Sequence, residues 1–287
     1  MAELYKPGLD ILQPAASWRE RVSATTDALF TCREGGVSSG PWGDARGVMG
    51  LNVAPHTGDF GACVRMNRDI VAQLVPSDPV WLEQVHGTTI VHADDWQGAK
   101  EPPAADASWT MTPGVVCTVM VADCLPVLLS DDKGRIVAAV HAGWRSLAAG
   151  ILQKTVALMR ERLQDPSARL AAWLGPRIGA LDFEVGEDVR DAMAELLPAE
   201  VLDGAFVKKE NGRYLADLAQ LAASALEASG LAEADIVDCG LSTYANAERF
   251  YSFRRDGEKS GRHAAMIWLK PAEGAKSAES AEEAPAS

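Results

Sequence analysis

Between residues 115 and 142 the chain is almost continuously apolar. The runs VVCTVMVA, PVLLS and RIVAAVH follow one another, and only the DDKG turn separates the last two. Runs without strict alternation predict strands buried on both faces. VWLEQV (80–85) and TTIVHA (88–93) are shorter β-rich segments. Leucines and alanines at three- and four-residue spacing predict helices over 61–75, 146–164, 186–197 and 214–229. Many short strands beside four or five helices predict an α/β fold: a single layered domain over residues 1–270, with mixed or antiparallel sheets flanked by helices. AKEPPAAD, around Pro102 and Pro103, reads as a loop. The tail over 271–287, PAEGAKSAESAEEAPAS, has no large apolar residue and is expected to be disordered.

The DDKG segment (131–134) suits a hairpin. A turn centred between Asp132 and Lys133 pairs Leu129 with Ile136, Val127 with Ala138, and Cys124 with His141. Directly opposed residues share a face, so this register brings a sulfur and an imidazole together; a slip of one residue would separate them. A third candidate is His86 in LEQVHG, which ends a strand-like run before Gly87.

Two imidazoles and a thiolate suit Zn²⁺, and three protein ligands leave a fourth position for substrate, the pattern of a catalytic site. Asp123, beside Cys124, is a candidate supporting carboxylate or proton carrier, and equally a strand-end cap. The same sulfur–imidazole pair also fits a cysteine hydrolase, in which His141 activates Cys124 and an Asn, Asp or Gln orients the histidine. Inert packing is the third reading.

Composition narrows this picture. Of 287 residues 47% are hydrophobic, which is ample for a core, and no run reaches the ~18 apolar residues of a membrane helix. The N-terminal residues lack a basic region followed by an apolar stretch, so a cytoplasmic location is expected. A net charge of −13 argues against nucleic acid as a partner but leaves room for a small anion held by a few arginines. Five cysteines without a CxxC pair read as free thiols.

LEQVHG, ADCLPVLL, AAVHAGWRS, GPRIGALDFEVGEDV and RFYSFRRDGEKSGRHAAMIWL occur in this order, preceded by TCREGGVSSGPWGDARGVMGLNVAPHTGD and VRMNRDIV. From about residue 20 to residue 270 the chain thereby resembles the bacterial laccase-domain family. Members of that family are also described as purine nucleoside phosphorylases with adenosine deaminase activity, or as peptidoglycan editing factors. The resemblance implies a fold related to toxin-type cysteine hydrolases and a catalytic zinc on His86, Cys124 and His141. It implies phosphorolysis of adenosine, inosine, guanosine and methylthioadenosine, and deamination of adenosine. Copper oxidation of phenols, implied by the older name, ranks lower, because three ligands make one metal site.

Phosphorolysis needs phosphate donors, for which Arg145 and Arg68 come first and Arg33, Arg254 and Arg255 next. Asn52 and Gln84 are candidates for sugar or base. The expected partners are therefore purine nucleosides and phosphate, with no nucleic acid and no membrane. Editing of cell-wall peptides by the Cys124–His141 pair, and a non-catalytic metabolite sensor, are the rival readings. Two departures from the family pattern stand out: Ser242-Thr243 where Cys-Thr is usual, and Ser146 where Gly is common after HAGWR. A pocket position for Ser242 would alter substrate preference.

Overall fold

A computed structural model describes residues 8–272. The apolar runs build two stacked sheets. One is six-stranded and mixed, in the order Ile236–Asp238, Leu170–Leu174, Leu125–Asp131, Val137–Ala142, Ala107–Thr110, Ile90–His92. Its central pairings are antiparallel and its two outermost are parallel. The other is four-stranded and antiparallel, in the order Ile11–Leu12, Thr26–Thr31, His263–Leu269, Val116–Val121.

Side chains alternate between the faces of these strands, which explains why both faces had to be apolar. Leu128, Ala139 and Trp173 of the first sheet meet Phe30, Val119 and Ile267 of the second in the core between them. Val127, Leu129 and Val140 point the other way, onto the helices Ile151–Leu163 and Leu218–Ala228. Behind the four-stranded sheet, Met120 and Met266 pack against Ile70 and Val71 of the helix Gly61–Ala72. The layers therefore run helix, sheet, sheet, helix, the mixed α/β arrangement expected from the sequence. A small sheet of Glu184–Val185, Tyr214–Ala216 and Phe206–Lys208 lies apart.

Several local expectations shift. The hairpin turn is longer than two residues: Asp131 accepts backbone N–H bonds from Arg135 and Ile136 on its carboxylate, which caps a loop over 132–135. The register moves with it, so that His141 faces Pro126 and Leu129 faces Ala138. The shift is by an even step, so Cys124 and His141 stay on the same face although they are not directly opposed. The helix expected over 146–164 starts at Trp144, breaks at Gly150 in the left-handed region (φ 81°), and resumes at Ile151. That expected over 214–229 is shortened by the strand Tyr214–Ala216, and Asp217 caps the remainder through Ala219 N–H and Gln220 N–H. The VWLEQV run forms only isolated bridges at Val80 and Glu83. The tail lies, from residue 273, outside the described residues. No helix among them is long and apolar enough to cross a membrane.

Candidate functional site

The strand Val116–Val121 belongs to one sheet and Leu125–Asp131 to the other, so Ala122, Asp123 and Cys124 carry the chain across the sheet edge. Asp123 turns this corner with a left-handed backbone (φ 84°), which a non-glycine residue adopts only when its surroundings hold it there. Its carboxylate accepts from Thr243 Oγ1 at 2.5 Å, Ser252 Oγ at 2.9 Å and Arg254 N–H at 2.6 Å. Those bonds tie the corner to the segment after residue 242. No bond from Asp123 reaches His86, Cys124 or His141. These bonds fit the cap reading of Asp123, which also lines the cleft that the cluster opens on.

Cys124 leaves this corner into a space shared with His86 and His141. One ligand atom from each lies within 4.8 Å of the others, the only such cluster of three among the described residues. Cys124 Sγ and His86 Nε2 are 3.8 Å apart, and the two imidazoles stand edge to face with centroids at 4.8 Å. The organiser of the group is Asp106. Its carboxylate accepts His141 Nδ1 at 2.8 Å and the backbone N–H groups of His86 at 3.0 Å and Gly87 at 2.6 Å, while its carbonyl accepts His141 N–H at 2.7 Å. Nδ1 being taken, His141 is left with Nε2 as its free donor atom. The same clamp holds His86 in the left-handed region (φ 58°).

The donor set fits a zinc ion. Tetrahedral bonds of zinc length place nitrogen and sulfur about 3.6 Å apart, near the separation observed. Gly143 adds a steric sign: a Cβ there would come within 3.0 Å of His86 Cδ2, 3.2 Å of Cys124 Sγ and 3.4 Å of His141 Cε1. Glycine thus keeps open the space that the three donors face.

Electrostatics single out one thiol. Burial pushes Cys117 up to about 12 and Cys239 up to about 11. Burial pushes Cys124 up too, but the charge of His141 and hydrogen bonds from His141 and His86 outweigh it and bring Cys124 down to about 6. Burial lowers His141, and the thiolate of Cys124 with the Asp106 carboxylate more than restores it, to about 9. Asp106 is raised by burial but held below the usual carboxylate range by His141 and the backbone donors. All five cysteines are free.

The cluster opens on a cleft of about 320 Å³, at the lower end of ligand-sized sites. Trp144, Ile178, Phe183 and Leu218 line it together with His56, Met120 and Arg262. Arg145 stacks over Trp144, Arg254 over Phe183 and Arg262 over Phe253. None of these three arginines has a carboxylate within ion-pairing distance among the described residues.

Of the other sequence candidates, Arg145 and Gln84 line the cleft. Both ends of the Gln84 amide are bonded to the backbone of Met120, at 2.7 and 2.8 Å. Arg68 stacks on Trp81 outside the cleft and donates to the Val53 carbonyl. Asn52 is fully buried, with its amide bonded to Ala54, Thr57, Asp59 and the backbone of Arg262. Neither residue touches the cleft, so both are corrected as substrate contacts. Arg33 and Arg255 spend their guanidinium groups on backbone carbonyls and Asp256. Ser242 Oγ accepts N–H bonds from Ala245 in its own turn and from Gly179 of a distant loop, donates to Asp182, and is absent from the cleft lining. The sequence reading missed Asp106, which ends a proline-rich loop, and His56 and Arg262, which lie in loops without periodicity.

These features define an α/β protein with a His–His–Cys centre at the edge of two stacked sheets, opening on a ligand-sized cleft. Residues 27–270 match the family model described as multi-copper polyphenol oxidoreductase laccase, and the chain belongs to that family. A Pseudomonas aeruginosa relative named purine nucleoside phosphorylase is 43% identical, over 86% of this chain and 95% of its own length. The Escherichia coli purine nucleoside phosphorylase YfiH is 41% identical, over 84% and 93%. Among solved structures, protein NMB0706 of Neisseria meningitidis aligns with a TM-score of 0.79 at 40% identity, covering 91% of this chain and 99% of that one. YlmD from Geobacillus stearothermophilus aligns at 0.78 and 29%, covering 90% and 94%.

Proposed function

We propose that the chain is a zinc-dependent purine nucleoside phosphorylase, acting on adenosine, inosine, guanosine and methylthioadenosine, with adenosine deaminase activity. The observation that carries this reading is the His86–Cys124–His141 cluster lining a cleft that also presents apolar side chains and three arginines without ion-pair partners among the described residues. The names of the relatives support the purine nucleoside phosphorylase part of this reading.

In phosphorolysis a phosphate oxygen bonds to ribose C1′ as the C1′–N9 bond breaks. The electron pair leaves with the purine, which takes up a proton, and positive charge builds on the sugar. Trp144, Ile178, Phe183 and Leu218 offer the purine a dry, flat-sided wall. Arg145, Arg254 and Arg262 offer donors to phosphate. Asp106 holds the imidazole of His141 in one tautomer, and Cys124 adds negative charge to the cleft lining. Zinc on His86, Cys124 and His141 would supply Lewis-acid polarisation of a substrate oxygen or nitrogen, and deamination calls on the same property.

Elemental analysis combined with a phosphate-dependent adenosine assay tests the proposal. About one zinc per chain and chelator-sensitive adenine release are expected. Zinc without turnover of any nucleoside would leave only a sensor.

A specific geometry favours a second reading. Cys124, His141 and Asp106 stand in the order nucleophile, base and orienting carboxylate that a cysteine hydrolase uses, suited to peptides of the cell wall. Activity of metal-free protein that a thiol alkylator abolishes would select it. Copper chemistry ranks below both, because one cluster of three ligands cannot hold a trinuclear centre.

A further inference from the structure

The cleft lining carries a guanidinium and an imidazole whose remaining polar nitrogens have no protein hydrogen-bond partner among the described residues. Arg262 donates through Nη1 to the carbonyls of Ser260 at 2.6 Å and Gly261 at 3.1 Å. Its guanidinium lies over Phe253, and Nε and Nη2 bond to no protein acceptor. His56 lines the same cleft from the turn Pro55–Thr57, close enough to Arg262 to feel its charge, and neither ring nitrogen has a protein hydrogen bond among the described residues.

The two residues are 206 positions apart in sequence, yet one buried side chain ties them together. Asn52 Oδ1 accepts the backbone N–H of Arg262 at 2.9 Å and that of Ala54 at 3.1 Å. Its Nδ2 donates to Thr57 Oγ1 at 2.9 Å, inside the turn that carries His56. Val53 N–H to the Arg262 carbonyl, at 3.3 Å, adds a second strut. A fully buried amide is thus spent on fixing one exposed imidazole beside one guanidinium edge.

We propose that His56 and Arg262 form the subsite for inorganic phosphate, with Asn52 as the positioning residue that sets their spacing. Arg262 presents the Nε–Nη2 edge to two phosphate oxygens, the geometry in which guanidinium recognises oxyanions. His56 contributes a third donor and, when protonated, a second positive charge. The inference rests on the phosphorylase reading for its role in turnover, though the binding it claims does not require turnover.

The charges around the pair are mixed: Cys124 and Asp123 face Arg262, whereas the charged groups acting on His56 are both guanidinium groups. Burial lowers the pKa of His56, and Arg262 and Arg68, the latter from the helix Gly61–Ala72, lower it further. Asp59, the nearby acid of its own segment, turns its carboxylate to Ser38 and Asn52 instead. A bound dianion offsets the two guanidinium charges and favours the imidazolium, so anion binding brings proton uptake.

Calorimetric titration of the purified chain with inorganic phosphate, beside His56→Gln and Arg262→Lys, tests the subsite. His56→Gln is expected to weaken phosphate binding about tenfold, the cost of one charge-assisted hydrogen bond. The KM for nucleoside should stay within about twofold. Sulfate stays dianionic between about pH 5.5 and 8, so its affinity reports the protein's own titration. In zinc-loaded protein, where Cys124 stays deprotonated, it should rise as pH falls and lose that dependence in His56→Gln, a signature that loosened packing would not mimic. Unchanged phosphate affinity in His56→Gln, or no phosphate binding by the unsubstituted chain, overturns the subsite. Phosphate binding that depends on His56, without phosphate-dependent purine release, rejects the phosphorylase reading and leaves the subsite standing.

Discussion

The carboxylate of Asp106 and the imidazole of His141 meet at 2.8 Å, and the same carboxylate gathers the backbone of Val85, His86 and Gly87. One side chain therefore orients two of the three candidate ligands, His141 through its ring and His86 through its main chain.

Asp106→Asn tests that arrangement. An amide places N–H donors where Asp106 now only accepts, so His141 loses its fixed tautomer and the His86 turn loses an acceptor. Zinc affinity is expected to fall about 10- to 100-fold, as for other carboxylates that support a metal-bound histidine. Competition against a graded series of chelators would measure this; unaltered affinity would remove Asp106 from the centre.

Gly143→Ala asks the steric question alone. Gly143 has φ −60° and ψ 155°, a backbone any residue adopts, so alanine brings no conformational strain. Its Cβ does press on His86 and Cys124, at 3.0 and 3.2 Å. Metal loading should drop while the metal-free protein melts within a few degrees of the original. Full loading in this variant would show that the donors move apart freely.

The thiolate of Cys124 exists above about pH 6 and the imidazolium of His141 below about pH 9. The depressed thiol loses its contribution to stability as pH falls through 6, and the raised imidazole loses its own as pH rises through 9. The ion pair therefore spans the interval between these values. In metal-free protein, alkylation of Cys124 by iodoacetamide should rise through about pH 6 and level off well before pH 8. Peptide mapping distinguishes it from the other four cysteines. A rate still climbing at pH 9 would contradict the pairing, and zinc should suppress the reaction throughout.

The hairpin shows how far the sequence could be read. A turn centred between Asp132 and Lys133 sets Cys124 directly opposite His141; the observed register is two residues off, and because that step is even the two keep a common face. The true register could not be read, since it depends on Asp131 folding its carboxylate back onto the backbone of Arg135 and Ile136. His86 stood out by local context, a strand-like run ending before glycine. Asp106 had no such context: its partners are 19 to 35 residues away and meet only after folding. Asn52 and Arg68 failed as substrate contacts for the converse reason. Sequence shows that a side chain can donate, whereas only packing shows that its donors are already spent.

Asp123 separates the two roles an acid beside a ligand can have. All described acceptor bonds of its carboxylate run to Thr243, Ser252 and Arg254, away from the three ligands, and it closes the corner between the sheets. Asp123→Asn keeps a residue that tolerates the left-handed backbone but removes a charged acceptor from three donors, at a cost of about 1–3 kcal/mol. Thermal stability should fall accordingly. The Arg254 segment, which lines the cleft, should loosen and raise KM. Zinc content should hold at the unsubstituted level, because no bond from Asp123 reaches His86, Cys124 or His141. Loss of zinc in Asp123→Asn together with its retention in Asp106→Asn would reverse the assignment of the two carboxylates.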